Sequence, residues 1–291
     1  MVQWKGDVVA ERYYAGASPT RRTNIKSASK SIMSALVGIA IAQGHLAGVQ
    51  QPIGELLPAE TATLEADKRA ITVADLLSMR SGLQSTSFEN YGSWVTSRNW
   101  VRDALARPVV APRGELGPMI YSTGSSHLLS AIVARSSGMT TYRFARRHLA
   151  EPLGIELRPW LTDPQGIHFG GNDMYLTPRD LLKFGTLYLN RGQWQGRQVV
   201  PAAWIDSSFV QRTTSQWNGN GYGYGWWTRN TRGVRAYYAW GYGGQFVFVV
   251  PALELVVVMT SDAETRREGG HNAALHRLLD VGIVPAVARL D

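Results

Sequence analysis

Ser27-Ala28-Ser29-Lys30, followed at once by the apolar run from Ile32 to Ala42, is the stretch around which the chain is organised. Ile32, Leu36 and Ile39 recur at helical spacing, Met33, Val37 and Ile41 lie beside them, and Gly44 supplies a stop. Apolar positions around so much of the circumference predict a buried helix rather than one lying on the surface. Ser27 stands at its N-terminus and Lys30 three residues on, a spacing that puts two helical side chains on one face. A hydroxyl is a poor nucleophile until a neighbouring base takes its proton, and a lysine in a desolvated cleft can be that base. The helix start adds N–H donors and a positive dipole end, which favour a developing oxyanion. Ser-x-x-Lys needs only two common residues and also arises by chance; placement at the head of a buried helix singles this copy out.

The 291 residues suit one large domain or two intimate lobes with ample core. A hydrophobic content of 44% against 18% charged residues is that of an ordinary globular protein, and no apolar run approaches membrane-spanning length. Cysteine is absent, which removes disulfides, thiolate metal sites and a cysteine nucleophile together. The net charge of +8 is spread over scattered basic residues with only short pairs such as Arg21-Arg22 and Arg146-Arg147, so a solvated basic surface is expected and no nucleic-acid partner. The start, Met1 to Asp7, has no signal-peptide apolar core, and a cytoplasmic location is the expectation.

In chain order, residues 7–15 predict an N-terminal strand, half of a hairpin, and 51–58 a loop and short turn. Ile71 to Met79 predicts a short helix capped by Thr72. Residues 84–100 show no period and are expected to form a long loop, with Trp94 and Trp100 either lining a pocket or packing on the body. Helices are expected from about Ser125 to Ser137, from Thr141 to about Leu149, and from Thr177-Pro178-Arg179-Asp180 to the stop at Asn190-Arg191-Gly192. Gln245 to Val250 and Leu255 to Thr260 predict two strands joined at Pro251-Ala252, and His271 to about Val281 a terminal helix. Strands at both ends with helices between imply an α+β fold, in which an antiparallel sheet built from both termini carries flanking helices and an inserted helical lobe. One domain is expected over 1–291, its sheet lobe near 1–25 and 220–291 and its helical lobe near 26–219.

Several segments together resemble the serine β-lactamase and penicillin-binding-protein superfamily, for which Ser-x-x-Lys is a known signature. They resemble most its class C-like branch, which also holds β-lactamase-fold carboxylesterases and 6-aminohexanoate-dimer hydrolases. Ser27 to Ser31 is similar to the nucleophile motif, Leu76 to Leu83 to the "LLSHTSGL" segment, and Tyr121-Ser122-Thr123-Gly124 to the "YSN" motif. Glu151-Pro152-Leu153-Gly154, Thr177 to Leu181 and Tyr224-Gly225-Trp226 are similar to the "PLGM", "TPRDL" and "YGLGW" segments. Two departures stand out. Thr123 replaces the Asn of the second motif, and the Lys-Thr-Gly or His-x-Gly motif has as its nearest counterpart Trp240-Gly241-Tyr242-Gly243-Gly244. The basic residue that would bind a carboxylate is thus replaced by an aromatic, as in the esterase-type members. Tyr188-Leu189-Asn190, Lys183-Phe184-Gly185 and His168-Phe169-Gly170 also match motif fragments but lie on or before a helix and are read as structural.

The resemblance implies Ser27 as nucleophile, Lys30 as its base and Tyr121 as proton relay, a lysine and a phenol side by side lowering each other's proton affinity. The oxyanion would lie between the Ser27 N–H and one near Gly243. Among Trp217, Tyr222, Trp226, Tyr238, Trp240 and Tyr242, which form either a pocket or sheet core, Trp240 is selected as the substrate-binding aromatic. No cofactor is implied, and the spacing of the six His residues argues against a metal. The expected activity is hydrolysis of a small acyl ester or amide by a serine hydrolase; a β-lactamase or D-alanyl-D-alanine peptidase, and a catalytically inactive binding homologue, are the alternatives.

Overall fold

An eight-stranded antiparallel sheet joins the two ends of the chain in the computed structural model, which describes residues 1–263 and 269–290. The strands are β1 (Val2–Trp4), β2 (Asp7–Ala10), β3 (Thr23–Asn24), β4 (Tyr175–Leu176), β5 (Gln193–Trp194), β6 (Arg197–Gln198), β7 (Thr213–Thr214), β8 (Gly221–Tyr222), β9 (Trp227–Thr231), β10 (Val234–Gly241), β11 (Gln245–Val250) and β12 (Leu255–Met259). Across the large sheet they run β2-β1-β12-β11-β10-β9-β8-β7, while β3 pairs with β4 and β5 with β6. The register Gln3↔Val256 seats the first strand against the last, so the sheet closes only when both ends are in place. β1 and β2 form the expected hairpin about Lys5-Gly6, with β2 ending at Ala10.

The helices are α1 (Ser29–Ala42), the single turns α2 (Ile53–Leu56), α3 (Pro58–Thr61) and α4 (Ala66–Arg69), then α5 (Val73–Leu77), α6 (Tyr91–Val95), α7 (Trp100–Ala106), α8 (Thr123–Ser137), α9 (Thr141–Ala145), α10 (Pro178–Leu189), α11 (Ala202–Phe209), α12 (His271–Arg277) and α13 (Val284–Val287). α1 is buried from Ser29 through Ala40, as its all-round apolar sequence requires. Thr72 with Asp75 and Thr177 with Asp180 form reciprocal capping boxes, each satisfying two orphan N–H groups at a helix start. β11 is buried on both faces. Val247 and Val249 join Val256 and Val258 in the core shared with α1 and α10, and Phe246 and Phe248 face the other way, against the His276 ring of α12. That double burial is why Gln245 to Val250 reads as a continuous apolar run rather than an alternating one.

Residues 84–100 are not a loop. They contain a 3-10 turn at Phe88–Asn90, then α6 and the first residue of α7. Elements of five to seven residues are too short to show a period and too short to stand alone, so tertiary burial forms them. Trp94 and Trp100 belong to the core: their indole N–H groups donate to the carbonyls of Trp100 (2.9 Å) and Val95 (3.0 Å), and Asn99 caps α7. The segment at 51–58 likewise winds into α2 and the start of α3. No helix among the described residues is long and apolar enough to cross a membrane.

Candidate active site

Ser27 lies in a 3-10 turn, Lys26–Ala28, that leads directly into α1. Lys30 sits in the first turn of that helix with only 3% of its surface exposed, and its Nζ is 3.0 Å from Ser27 Oγ. The amine also donates to the carbonyl of Gly171 at 2.9 Å and contacts Thr123 Oγ1 at 3.4 Å. No carboxylate is among these partners. Burial alone therefore acts on the ammonium, bringing it down to about 7 from its ordinary 10.5.

Tyr121 enters from the far side, just before α8. Its phenol hydrogen-bonds Ser27, and Lys30 Nζ stands 5.0 Å from the ring centroid. Burial pushes the phenol up, against the smaller opposing effect of the Ser27 hydrogen bond. The mutual lowering expected from the sequence is thus replaced by divergence: the lysine goes down and the tyrosine up, both through desolvation. Above about pH 7 such a pair holds a neutral amine and a neutral phenol on the same hydroxyl, one able to accept a proton and the other to give one.

The segment before α6 builds this corner. Ser87 Oγ and Thr86 Oγ1 accept from the backbone N–H groups of Thr123 (2.9 Å) and Gly124 (2.7 Å), capping α8 from outside the helix. Ser85 Oγ donates to the Tyr121 carbonyl at 2.7 Å. Thr123, standing where the resemblance implies Asn, shares its hydroxyl between Ser87 (2.8 Å) and Lys30. Ser31 Oγ donates to the Gly225 carbonyl at 2.6 Å, tying the Tyr224-Gly225-Trp226 segment to α1.

Strand β10 passes close to the Ser27 turn at Gly241, where a Cβ would fall 2.0 Å from the Ile25 carbonyl oxygen. Gly243 lies beyond it in the β10–β11 turn at φ +78°, against Ala263. Trp240 reaches the site through Trp227: it packs edge-on against that indole at 5.4 Å, and Trp227 stacks on Tyr121 at 5.9 Å. Its own indole nitrogen is buried without a hydrogen-bond partner among the described residues. Tyr222, Trp226 and Tyr238 are core residues, whereas Trp217 and Tyr242 are 57% and 74% exposed, with Trp217 edge-on to Tyr121.

Sequence reasoning missed Gly171 and the buried pair His127–Asp163 (3.0 Å) beneath Trp94 and Trp100. The Gly170-Gly171 doublet is the only local sign of the first. The helical spacing of Thr123 and His127 points to the second. The look-alikes stand apart: Tyr188 is core, Lys183 donates to the Gly154 carbonyl, and His168 packs against Tyr142 and Trp160. Among the described residues no three His, Asp or Glu side chains come together as a metal site.

The beta-lactamase family model matches residues 1–280. A 6-aminohexanoate-dimer hydrolase from Paenarthrobacter ureafaciens is 26% identical over 301 residues, covering 94% of this chain and 75% of that protein. A structure from Bacillus anthracis, provisionally described as a 6-aminohexanoate-dimer hydrolase, superposes with a TM-score of 0.79 at 20% identity over 96% of this chain and 77% of its own. The octameric penicillin-binding protein homologue from Pyrococcus abyssi gives a TM-score of 0.75 at 18% identity, over 96% and 72%. At these identities the structural likenesses establish the fold.

Proposed function

The chain belongs to the beta-lactamase family, and from that premise we propose that it is a serine hydrolase cleaving small acyl esters through a Ser27 acyl-enzyme, with small amides as the second substrate class. One observation carries the proposal: Lys30 Nζ, desolvated and unpaired with any carboxylate among the described residues, lies 3.0 Å from Ser27 Oγ. Ser27 Oγ attacks the acyl carbon as its proton passes to the neutral amine of Lys30. The tetrahedral intermediate collapses as Tyr121, kept protonated by burial, gives its proton to the departing oxygen or nitrogen and the proton held by Lys30 restores the phenol. Water, its proton taken by Lys30, then attacks the acyl carbon, and Ser27 Oγ leaves as it receives that proton back. The oxyanion is assigned to the N–H of Ser27 and one near Gly243, and Trp240 to the apolar wall of the cleft.

The amide class rests on the 26% identical 6-aminohexanoate-dimer hydrolase. Thr123 and the aromatic Trp240–Gly244 segment favour esters and linear amides over β-lactams. Intact-protein mass spectrometry after p-nitrophenyl butyrate or a fluorophosphonate tests the proposal. A covalent adduct on the native protein, absent from Ser27→Ala together with ester turnover, is expected. A folded native protein that takes up no label would overturn it, and rapid nitrocefin turnover without ester hydrolysis would replace it with the β-lactamase reading.

A further inference from the structure

We infer that Asn24 is a positioning residue that holds the Ser27 turn and the Lys30 acceptor in register, an inference that rests on the hydrolase reading above. Lys26, immediately before Ser27, is a non-glycine residue in the left-handed region at φ +50°. That conformation is costly for a side chain with a Cβ and persists only where the surroundings enforce it. Asn24 supplies the enforcement, its Oδ1 accepting the Lys26 N–H at 2.9 Å. The same amide turns its Nδ2 toward Asp173, donating to Oδ1 at 2.6 Å. Asp173 is itself left-handed at φ +61° and stands two residues after Gly171, whose carbonyl receives Lys30 Nζ. One side chain, 7% exposed, therefore links the strained residue that presents the nucleophile to the strained segment that fixes the base. The backbone adds the short β3–β4 ladder and the Ile25 N–H to Met174 carbonyl bond of 2.9 Å.

The chemistry of the Asn24–Asp173 pair makes a reciprocal test possible. Asn24→Asp keeps an acceptor for Lys26 but sets one carboxylate against another. Asp173→Asn keeps an acceptor for the Asn24 amide. The double variant Asn24→Asp/Asp173→Asn restores a donor and an acceptor with the direction reversed. Fluorophosphonate labelling of Ser27 and steady-state hydrolysis of p-nitrophenyl acetate would be followed well below each variant's thermal midpoint. Asn24→Asp is expected to slow labelling and lower kcat about tenfold or more with KM little changed, because small misplacements of reacting groups cost that much. Asp173→Asn should stay near native, and the double variant should recover to within about threefold. A folded Asn24→Asp protein with native labelling and kcat would overturn the inference. So would a double variant that regains its thermal midpoint but not its rate. If native protein does not label at all, the hydrolase reading fails first; a native protein that labels while Asn24→Asp matches it defeats only the role given to Asn24.

Discussion

The carbonyl oxygen of Gly171 lies 2.9 Å from Lys30 Nζ across 141 residues of sequence. It gives the amine a neutral partner, so the lysine is desolvated without being paired to a negative charge among the described residues. Burial then acts unopposed, and the ammonium falls to about 7.

A base must be unprotonated to accept the Ser27 proton. Activity should therefore climb as pH rises through about 7 and flatten above it. Measuring kcat/KM for p-nitrophenyl acetate across pH 5.5 to 9 checks this, and a profile flat through neutrality would dissociate Lys30 from the proton transfer. Lys30→Arg, whose guanidinium stays protonated, should lose about 10³-fold in kcat.

Gly171→Ala isolates the positioning of that amine. A Cβ there would lie 3.0 Å from Lys30 Nζ and 3.1 Å from Ser126 Cβ, so the flexible lysine end gives way first. We expect kcat/KM to fall about tenfold or more, with a thermal midpoint within a few degrees of native, measured side by side. A large loss of stability with full activity in the folded fraction would mean that the backbone moves and the lysine does not.

These contacts also show where the sequence was readable. Thr72 and Asp75, or Thr177 and Asp180, satisfy each other within one turn, so their pattern announces the helix start. Ser27 and Lys30 are local in the same sense. The Gly171 carbonyl carries no side chain to recognise and comes from far along the chain. The direction of the Tyr121 shift depends on how completely the phenol is buried, which no motif encodes. The short helices in 84–100 exist because Trp94 and Trp100 bury there, a tertiary cause with no local period.

Gly38 pits local preference against packing. In the middle of α1 alanine would favour the helix by about 1 kcal/mol, yet a Cβ at this position falls 2.3 Å from the Trp204 ring of α11. Both groups are buried and neither is a flexible chain end, so overpacking should dominate. Gly38→Ala is expected to destabilise the protein by about 1–3 kcal/mol, read as a lower urea midpoint at unchanged slope. A midpoint at or above native would show that α11 can retreat at little cost.

His276 carries the last prediction, on how the C-terminal helix stays docked. Its ring lies 4.9 Å from Phe246, 5.4 Å from Tyr238 and 5.5 Å from Phe248, covering the sheet face opposite α10. Arg229 Nη1 is 2.7 Å from its Nδ1 and Arg229 Nη2 donates to Asp280 at 2.7 Å, so the imidazole meets a cation already paired to Asp280. Burial, then the Arg229 charge, lowers the imidazolium to about 4, with Asp280 opposing weakly. The folded state thus binds its proton less readily than the unfolded chain, whose His titrates near about 6.5. The contribution is complete above about 6.5 and is lost as pH falls from there toward about 4, on the order of 3 kcal/mol in all. Denaturation midpoints between pH 7.5 and 4 should fall more steeply for native protein than for His276→Phe, which keeps the aromatic packing and removes the titration. Parallel curves would place the acid sensitivity elsewhere.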